Sequence, residues 1–485
     1  MREVLVVGAG PAGLAAALGA RAAGARVVLL DSADELGGQY WRHLPASRPA
    51  GREGALHHGW ARFTDMRRRL TEDPGCRVLT GAQVWALESA PTSAPTVHVL
   101  HGEPDGADRE PITARPDAVV LAPGAHDRTL PFPGWDLPGV FTAGAAQALA
   151  KGERIAVGER VLVAGAGPFL LPVAVSLVQA GSTVLGVLEA GAPSRLARGW
   201  LPRPWQLARA AAKGGELAGY AGTFLRHRIP YRTATGVVAA HGTDRVVSVT
   251  VADLDPSWAP VPGTEREVAV DAVCVSHGFT PRLELPIAAG CRIDSGVVGV
   301  DARQATSAPG VFAAGEITGI GGVDLALAEG VIAGHCAAGG TVQDRAVRSA
   351  VRDRATFRRF AARIEAAHGI GAGWPGWLAE DTVVCRCEEV TYGRLCSAGA
   401  ETRSQGLRSL KLSTRAGLGI CQGRICGRTV EELLARGAPG GALIDGTRTD
   451  RRPIVVPVRL GELAARPPAE PGPTTGAAPA ARRTP

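Results

Sequence analysis

Long apolar runs are missing from this sequence. Its apolar segments are short and are interrupted by Gly, Pro or Arg, whereas a helix that spans a bilayer needs about 20 consecutive apolar residues. A secretory signal is also missing from the start, because Met1-Arg2-Glu3 leads directly into an apolar strand. We therefore expect no transmembrane segment and a cytoplasmic protein, with peripheral attachment at the inner face of the membrane as the alternative.

Basic runs that alternate with aromatic residues are also absent. The formal net charge is +7, but the excess comes from Arg residues scattered along the chain, and only 5% of the residues are aromatic. The compact basic runs are Arg67-Arg68-Arg69 and pairs such as Arg451-Arg452. This pattern predicts no nucleic-acid partner.

Side chains in the patterns of known catalytic sites are scarce. Histidines stand singly apart from His57-His58, and no His-Asp-Ser or His-x-x-Glu arrangement is present. The cysteines that precede residue 385 are isolated ones: Cys76, Cys274, Cys291 and Cys336. Their isolation argues against a redox-active cysteine pair and disulfide exchange. No general base can be named from this sequence.

A glycine loop between a strand and a helix opens the chain. Val4–Val7 is a β-branched and Leu run typical of a buried strand, and Gly8-Ala9-Gly10-Pro11-Ala12-Gly13 follows it directly. A helical segment at 14–23 and a second strand at Arg26–Leu30 lead to Asp31, which lies 18 positions after the last glycine. This order is the βαβ unit of dinucleotide-binding proteins.

Each part of this first loop has a physical role. Gly8 permits the tight turn, Gly10 lets a pyrophosphate approach the backbone, and Gly13 allows helix and strand to pack closely. The helix N-terminus at Pro11–Ala12 supplies partial positive charge to the phosphates. Asp31 is the candidate acceptor for the hydroxyl groups of the adenosine ribose.

A second copy of the pattern lies about 160 residues further on. Val161–Ala164 leads into Gly165-Ala166-Gly167-Pro168-Phe169-Leu170, and the next strand ends at Glu189. Leu170 stands where a third Gly or an Ala is expected, so its side chain would separate helix from strand or displace a nucleotide. Two interpretations stay open: NAD(P) or another adenine nucleotide bound at Gly165, Gly167 and Glu189, or a purely structural domain.

Three further segments resemble those of flavoproteins with two dinucleotide-binding domains. Ala313-Ala314-Gly315-Glu316, followed by Gly321-Gly322 and a helix, resembles their distal flavin motif, with Glu316 where an Asp is usual. Leu121-Ala122-Pro123-Gly124 resembles their Ala-Thr-Gly segment, and Gly37-Gly38-Gln39 lies where their flavin-contacting loop falls. The resemblance implies FAD at the first loop, with Glu316 binding the ribityl chain and the helix after Gly322 directed at the flavin pyrimidine ring.

Four cysteines near the C-terminus have the spacing of a metal site. Cys385-Arg386-Cys387 is followed, after a gap of 33 residues, by Cys421-Gln422-Gly423-Arg424-Ile425-Cys426, and thiolates select iron–sulfur clusters or zinc. We expect [2Fe–2S], because Cys-x-Cys is tighter than the usual zinc-knuckle spacing; a structural zinc site and unrelated reduced cysteines are the alternatives. Gly417 and Gly419 would let backbone N–H groups approach the cluster sulfurs. Cys396 is interpreted as a packed core thiol.

The motifs predict the domain order of an α/β protein with two Rossmann-like domains and a small cluster module. The length of 485 residues allows two to four domains, and 45% apolar and 20% charged residues are typical of globular proteins. The predicted order is an FAD-binding domain at 1–145, a second Rossmann domain at 146–280, the second part of the FAD-binding domain at 281–343, a helical connector at 344–380, the [2Fe–2S] module at 381–440, a C-terminal extension at 441–466 and a disordered tail at 467–485.

The combination resembles one family over residues 1 to about 460. This family comprises the α (A) subunits of heteromeric FAD-dependent amino-acid dehydrogenases and oxidases, which include D-hydroxyproline dehydrogenase, opine oxidase, hydrogen cyanide synthase and sarcosine oxidase. The matching stretches are Pro131–Val140, Thr142–Gln147, Val384–Val390 and Cys421–Gly427. The cluster module is similar to bacterioferritin-associated ferredoxin, whose four cysteines bind [2Fe–2S].

The resemblance implies a partner and a function. In this family the substrate C–N bond is oxidised at a separate flavin in an amino-acid-oxidase-type β subunit. The present chain would supply FAD, the cluster and electron transfer to an acceptor protein or quinone, for substrates of the proline, hydroxyproline, opine, glycine or sarcosine type. The alternatives are a self-sufficient NAD(P)H-dependent flavin reductase that feeds an oxygenase or ferredoxin, which Leu170 disfavours, and a non-redox scaffold.

Overall fold

The computed structural model describes residues 1–45, 47–48, 51, 53–103, 106, 108–205, 211–404, 406–437, 451–452 and 454–464. The tail predicted at 467–485 lies outside these residues. Within them, no helix combines the length and the apolar character needed to cross a membrane.

The helices and strands follow the predicted alternation. Up to residue 127 they are β1 (Glu3–Val7), α1 (Pro11–Ala22), β2 (Arg26–Leu30), α2 (Glu53–Leu56), α3 (Trp60–Thr71), β3 (Cys76–Leu79), β4 (Ala82–Glu88), β5 (Thr96–His101), β6 (Glu110–Ala114), β7 (Ala118–Leu121) and β8 (Ala125–Asp127). The middle of the chain forms β9 (Val140–Thr142), α4 (Ala143–Gly152), β10 (Arg160–Gly165), α5 (Leu170–Gln179), β11 (Thr183–Glu189), α6 (Pro193–Trp200), α7 (Ala211–His227), β12 (Tyr231–Thr233), β13 (Thr235–His241), β14 (Ser248–Asp253), β15 (Arg266–Ala269), β16 (Ala272–Ser276) and β17 (Phe279–Pro281). The remainder forms α8 (Glu284–Ala288), β18 (Ile293–Asp294), β19 (Val297–Val298), β20 (Val311–Ala313), α9 (Val323–Ala337), α10 (Arg348–His368), β21 (Val383–Cys385), β22 (Val390–Thr391), α11 (Tyr392–Thr402), α12 (Leu407–Thr414), α13 (Gly427–Gly437) and α14 (Leu460–Ala464).

The first sheet is parallel and has the strand order β20-β7-β1-β2-β3. The central strand β1 is buried on both faces, since Val4 and Val6 pack in one core cluster with α1 and α9 while Leu5 packs in another with the antiparallel β4-β5-β6 sheet. Burial on both faces explains why the sequence of β1 is a continuous apolar run rather than an alternating one. The carboxyl ends of β1 and β2 lie side by side, so the sheet brings Gly8 and Asp31 together.

The second sheet is also parallel, with the order β12-β11-β10-β16-β9. Its edge strand Val140–Thr142 pairs with Val273–Val275, so the chain has already entered the second domain before residue 145. The antiparallel pair β8–β17 links the two domains at the point where the chain leaves the first sheet and later returns to it. The apolar stretch at 268–275 is divided between two strands, β15 and β16, that lie in different sheets.

The helical connector predicted at 344–380 contains α10, which runs between the two domains. The cluster module follows it, with a small core around Val384, Leu395, Leu410 and Val430. The described part of the C-terminal extension then returns to the first domain. There Val455 N–H donates to the Trp85 carbonyl at 2.9 Å, and Arg109 forms a two-pronged ion pair with Glu462 at 2.7 and 2.8 Å. These contacts fix the extension to the first domain.

Candidate cofactor sites

The first glycine loop adopts the geometry that a dinucleotide requires. Gly8 has a φ of +99°, and a Cβ on Gly13 would lie 1.7 Å from the Gly8 carbonyl oxygen, so helix and strand are as close as glycine alone allows. Gly10 is the N-cap residue of α1 and is only half-buried, with Pro11 as the first helical residue. The start of α1 therefore presents N–H groups and its positive dipole end to an open cleft.

Two other predicted segments lie against this loop. A Cβ on Gly38, whose φ is +58°, would come within 2.9 Å of the Gly10 Cα, so the two backbones face each other. Gln39 beside it is exposed. The Ala122 carbonyl lies over Gly8, and Gly124, with a φ of +77°, has open space where a side chain would be. The structure thus assembles around one cleft the segments that the sequence assigned to one cofactor.

Backbone hydrogen bonds hold the Asp31 carboxylate beside the first glycine loop. Its Oδ2 accepts a hydrogen bond from Ala9 N–H at 2.5 Å, and its Oδ1 accepts one from Ala33 N–H at 2.8 Å. Burial raises the pKa of Asp31, while these backbone donors and the nearby Arg282 guanidinium act in the opposite direction. The carboxylate remains partly exposed, so it has lone pairs left for ribose hydroxyl groups.

The distal motif closes the cleft beside α1. A Cβ on Gly315 would lie 2.8 Å from the Ala12 Cβ, which places the following residue beside the start of α1. The Glu316 carboxylate accepts hydrogen bonds from Gly321 N–H at 3.0 Å and from Gly322 N–H at 2.9 Å, just before α9. Burial raises the pKa of Glu316 to about 7. The longer acid thus folds back onto the turn that begins α9.

Glu329 supports this motif and was not found from the sequence. The side chain is fully buried on α9, where it accepts from Gly315 N–H at 3.1 Å and from Thr318 Oγ1 at 2.5 Å. Its other oxygen pairs with Arg358 of α10 at 2.8 Å. The available signal was a lone acid in the middle of an apolar helix, since a buried carboxylate needs partners.

The second glycine loop is arranged differently. Gly165 and Gly167 keep positive φ values of +138° and +105°, and Glu189 accepts a hydrogen bond from Gly167 N–H at 2.9 Å. Leu170, the residue that departs from the fingerprint, begins α5 and packs fully buried in the core of the second domain. Glu189, the predicted ribose acid, is itself completely buried.

The four predicted cluster cysteines form two neighbouring pairs. A hydrogen bond between the Cys385 and Cys426 thiols lowers the pKa of Cys385 to about 6 and raises the pKa of Cys426. Cys387 lies in hydrogen-bond contact with Cys421, and burial raises the pKa of Cys387. Among the described residues no three or more His, Cys, Asp and Glu side chains form a preformed site for one metal ion. Two pairs match a [2Fe–2S] cluster, which takes two protein ligands on each iron, better than they match one tetrahedral zinc.

Of the two glycines predicted to bring backbone N–H groups to the sulfurs, Gly417 does so. Gly417, with a φ of +82°, donates its N–H to the Cys385 sulfur. A Cβ on Gly419 would lie 2.3 Å from the Cys387 Cβ, so no other residue fits there. Such N–H donors stabilise the charge of a bound cluster. Cys396, by contrast, is not a core thiol: it is exposed on α11, because that face of the helix points away from the module core.

The cluster module docks onto both domains through specific pairs. Trp135 donates its indole N–H to the Val383 carbonyl at 2.5 Å, and the Arg386 guanidinium lies 5.3 Å from the Trp135 ring centroid. Arg424, inside the second cysteine loop, forms an ion pair at 2.8 Å with the buried Glu284. The module is therefore fixed next to the segments that border the first cofactor cleft.

Neighbouring residues connect Glu284 to the segments that border the cleft. Arg282 is two residues before it, and the Arg282 Nε–H donates to the His126 Nδ1 at 3.2 Å. His126 itself is two residues after Gly124 of the flavin-like segment. Burial lowers the pKa of His126 to about 4, so at neutral pH the ring is uncharged and accepts this hydrogen bond.

Comparison with known proteins identifies the fold and its cofactors. The family model for pyridine nucleotide-disulphide oxidoreductases matches residues 2–330, about two thirds of the chain. The chain belongs to the pyridine nucleotide-disulphide oxidoreductase family. A second model, for the BFD-like [2Fe-2S] binding domain, matches residues 383–436. The first match indicates FAD and is compatible with NAD(P), and the second indicates [2Fe–2S] in the C-terminal module.

Whole-chain relatives agree with this assignment. A subunit of opine oxidase from Rhizobium meliloti is 33% identical over 487 residues, which cover 96% of this chain and 88% of that protein. Hydrogen cyanide synthase subunit HcnB of Pseudomonas aeruginosa is 32% identical over 453 residues, covering 87% and 90% respectively. The resemblance to the subunit family of heteromeric oxidases is thereby confirmed.

The fold has also been seen in a crystal structure. L-proline dehydrogenase from P. horikoshii superposes with a TM-score of 0.64 and 20% sequence identity, covering 95% of this chain and 79% of that one. At this identity the match establishes the fold alone. Despite the family name, the cysteines of this chain outside the cluster module all lie among the described residues and are separate free thiols. The neighbouring cysteine pairs of the described residues are those of the cluster module.

Proposed function

We propose that this chain is the electron-transfer subunit of a heteromeric dehydrogenase for amino or imino acids. Its substrate is oxidised on an amino-acid-oxidase-type partner, and the electrons leave through this chain to an acceptor protein or quinone. The observation that carries the proposal is the docking of the cluster loop beside the flavin-like segments through the Arg424–Glu284 ion pair. Bound FAD and a [2Fe–2S] cluster supply one- and two-electron chemistry.

The chain's own residues perform binding and positioning in this proposal. The loop Gly8–Gly13 and the start of α1 hold the pyrophosphate, Asp31 holds the ribose, and Glu316 faces the ribityl chain. Gly38, Gln39, Ala122, Gly124, Gly315 and Gly322 shape the cleft. In the module, Cys385, Cys387, Cys421 and Cys426 are the proposed iron ligands, and Gly417 N–H polarises one of them.

The substrate class rests on the relatives. The similar proteins from opine oxidase and hydrogen cyanide synthase are both named as subunits, and this chain offers no recognisable substrate base among its described residues. Substrates with a C–N bond to be oxidised, of the proline, hydroxyproline, opine, glycine or sarcosine type, are therefore the ones to test. A cytoplasmic location, with peripheral attachment at the membrane where the acceptor is a quinone, belongs to the same proposal.

Co-purification with an amino-acid-oxidase-type flavoprotein partner tests the function. The isolated chain and the complex are assayed with each substrate and an artificial electron acceptor. We expect turnover by the complex at about 1–1000 s⁻¹, the usual range for enzymes, and none by the isolated chain. Oxidation of any of these substrates by the isolated chain would mean that the substrate site lies here and that the proposed division of labour between two chains is wrong.

A further inference from the structure

We infer that the second dinucleotide-binding surface of this chain holds the chain's own connector in place of a nucleotide. The C-terminal end of α10 and His368 occupy it, so NAD(P)H has no site there. The inference goes beyond the proposed function and does not depend on it, since it concerns a different surface and needs no partner for its test.

The two acids predicted to bind ribose, Asp31 and Glu189, differ in their remaining capacity to accept hydrogen bonds from a ligand. Asp31 accepts hydrogen bonds from two backbone N–H groups and is partly exposed. Glu189 has 0% exposure and both of its oxygens are engaged. Its Oε1 accepts from Gly191 N–H at 2.9 Å, and its Oε2 lies 2.9 Å from Gly167 N and 3.1 Å from His368 Nδ1. A ribose would have to displace His368 to reach this acid.

The hydrogen bonds of His368 determine which of its ring nitrogens faces Glu189 as a donor. Trp200 donates its indole N–H to the His368 Nε2 at 3.1 Å, so this nitrogen is an acceptor. The proton of a neutral ring is then on Nδ1, which donates it to Glu189. The imidazole N–H thus makes the hydrogen bond that a ribose hydroxyl would make to the acid.

The same residue also lies near the glycine that would face the phosphates. A Cβ on Gly167 would lie 3.9 Å from the His368 Cβ, which is ordinary van der Waals contact. Gly167, the glycine that would face the pyrophosphate, is consequently buried, whereas Gly10 of the first loop is half-buried and faces an open cleft. The second loop is thus the more enclosed of the two loops.

Strong contacts hold the end of α10 in this position. A Cβ on Gly199 of α6 would lie 2.5 Å from the Ala367 Cβ, so the two helices touch there. The Arg363 guanidinium is buried and donates to backbone carbonyls at the end of α6, including Trp200 at 2.9 Å and Arg203 at 3.0 Å. Removal of α10 would break these hydrogen bonds and leave the buried Arg363 guanidinium without these acceptors, which is costly.

The other end of α10 is tied to the first domain. Arg358 pairs with Glu329 beneath the distal flavin motif, and the buried Arg354 donates to Gln304 at 2.9 Å. One helix therefore links the Gly315 segment of the first domain to the filled site of the second. A nucleotide that displaced the connector would have to disturb both sets of contacts.

The test uses the full chain loaded with FAD, so that the first site is already occupied. NADH and NADPH are titrated to about 1 mM, the upper end of usual KM values, and binding is followed by calorimetry and by flavin absorbance. We expect no saturable binding and no bleaching of the flavin. Saturable binding of one NADH or NADPH per FAD-loaded chain would overturn the inference, whether or not the flavin is reduced.

Hydrogen exchange supplies the positive readout. In His368→Ala the amides of Gly167 and Gly191 should exchange about tenfold faster than in the parent, because a hydrogen bond that closes the site is lost. His368→Gln, which keeps an N–H donor, should retain most of the protection, and His227→Ala on α7 is the control outside the site. Unchanged exchange at both amides in a folded His368→Ala would show that the connector does not close the site.

Discussion

At the scale of single residues, Gly10 and Gly13 of the first loop face different surroundings and should respond differently to the same substitution. A Cβ at Gly13 would meet the Gly8 oxygen at 1.7 Å, whereas one at Gly10 would find only the Gly38 Cα at 3.9 Å. Gly10→Ala should therefore fold normally but lose FAD, because the methyl group occupies the approach of the pyrophosphate. Gly13→Ala should fail to fold stably.

Expression level, Tm and flavin content of both variants check this prediction. Gly399→Ala on α11 is the control, since nothing lies within 4 Å of the added methyl group. Full FAD content in Gly10→Ala would mean that the cofactor does not approach the backbone at this residue.

Glu316 makes the stability of the FAD-free protein depend on pH. Burial raises its pKa to about 7, above the ordinary value of 4.5, so the folded protein retains a proton that the unfolded chain has lost between these values. The stabilisation is fully present below about pH 4.5 and is lost as the pH rises through about 7. We expect the Tm of the apoprotein to fall between about pH 4.5 and 7, and the slope to shrink in Glu316→Gln. An identical slope in both proteins would assign the titration to another group.

The residue scale also shows how far the sequence could predict the site. The local geometry of Gly8, Gly10, Gly13 and Asp31 follows from spacing within one βαβ unit, and their cofactor-binding roles stay predictions. His368 could not be found, since it lies 179 positions from Glu189 and nothing in its sequence context indicates the contact. Leu170 did signal an altered second loop, but not that the chain itself fills it.

At the scale of elements, the cluster cysteines and the flavin cleft lie in different modules, so we expect that the cluster can be removed without loss of FAD. Cys387→Ser should abolish the [2Fe–2S] absorbance and EPR signal while FAD remains bound, because the flavin cleft lies in another domain. The exposed Cys396 provides the matched control, and Cys396→Ser should keep both cofactors. Iron analysis and visible spectra check the result, and simultaneous loss of FAD in Cys387→Ser would show that the module is part of the flavin site.

A second prediction concerns the contribution of Glu329, on helix α9, to the free energy of unfolding. Glu329→Gln removes the charge that pairs with Arg358 and weakens the acceptors for Gly315 and Thr318. Because Arg358 is 43% exposed, water can take over part of its solvation, and we expect a loss of about 1–3 kcal/mol in the free energy of unfolding. Glu365→Gln on the exposed face of α10 is the control. Denaturant unfolding measures both, and equal stability of the two variants would contradict the supporting role of Glu329.

The positions of strands could largely be predicted from the sequence where the apolar pattern is strong. Strands β1, β2, β10 and β11 lie where apolar β-branched runs indicated, because buried parallel strands need such runs. The pairing of Val140–Thr142 with the second sheet was not predicted, because a three-residue edge strand leaves little signal in sequence. Its position is set instead by its partner Val273–Val275.

At the scale of the whole molecule, one helix and the docking contacts of the cluster loop help to hold three modules together. Helix α10 links the two Rossmann-like domains, and Arg424–Glu284 fixes the cluster loop to the first domain. The returning C-terminal segment adds the buried Arg109–Glu462 pair on the first domain. This arrangement closes the nucleotide site of the second domain and leaves the first cleft and the cluster adjacent, so electrons are expected to enter from a partner rather than from NAD(P)H.

The most direct test of this account is the EPR signal of the chain's own cluster under anaerobic conditions. The account predicts that the substrate of the complex produces the reduced-cluster signal only when the partner is present, and that Cys387→Ser removes the signal while the partner's flavin still bleaches. It also predicts that NADH produces no signal with the isolated, FAD-loaded chain. Rapid appearance of the cluster signal on addition of NADH to the isolated chain would contradict the account.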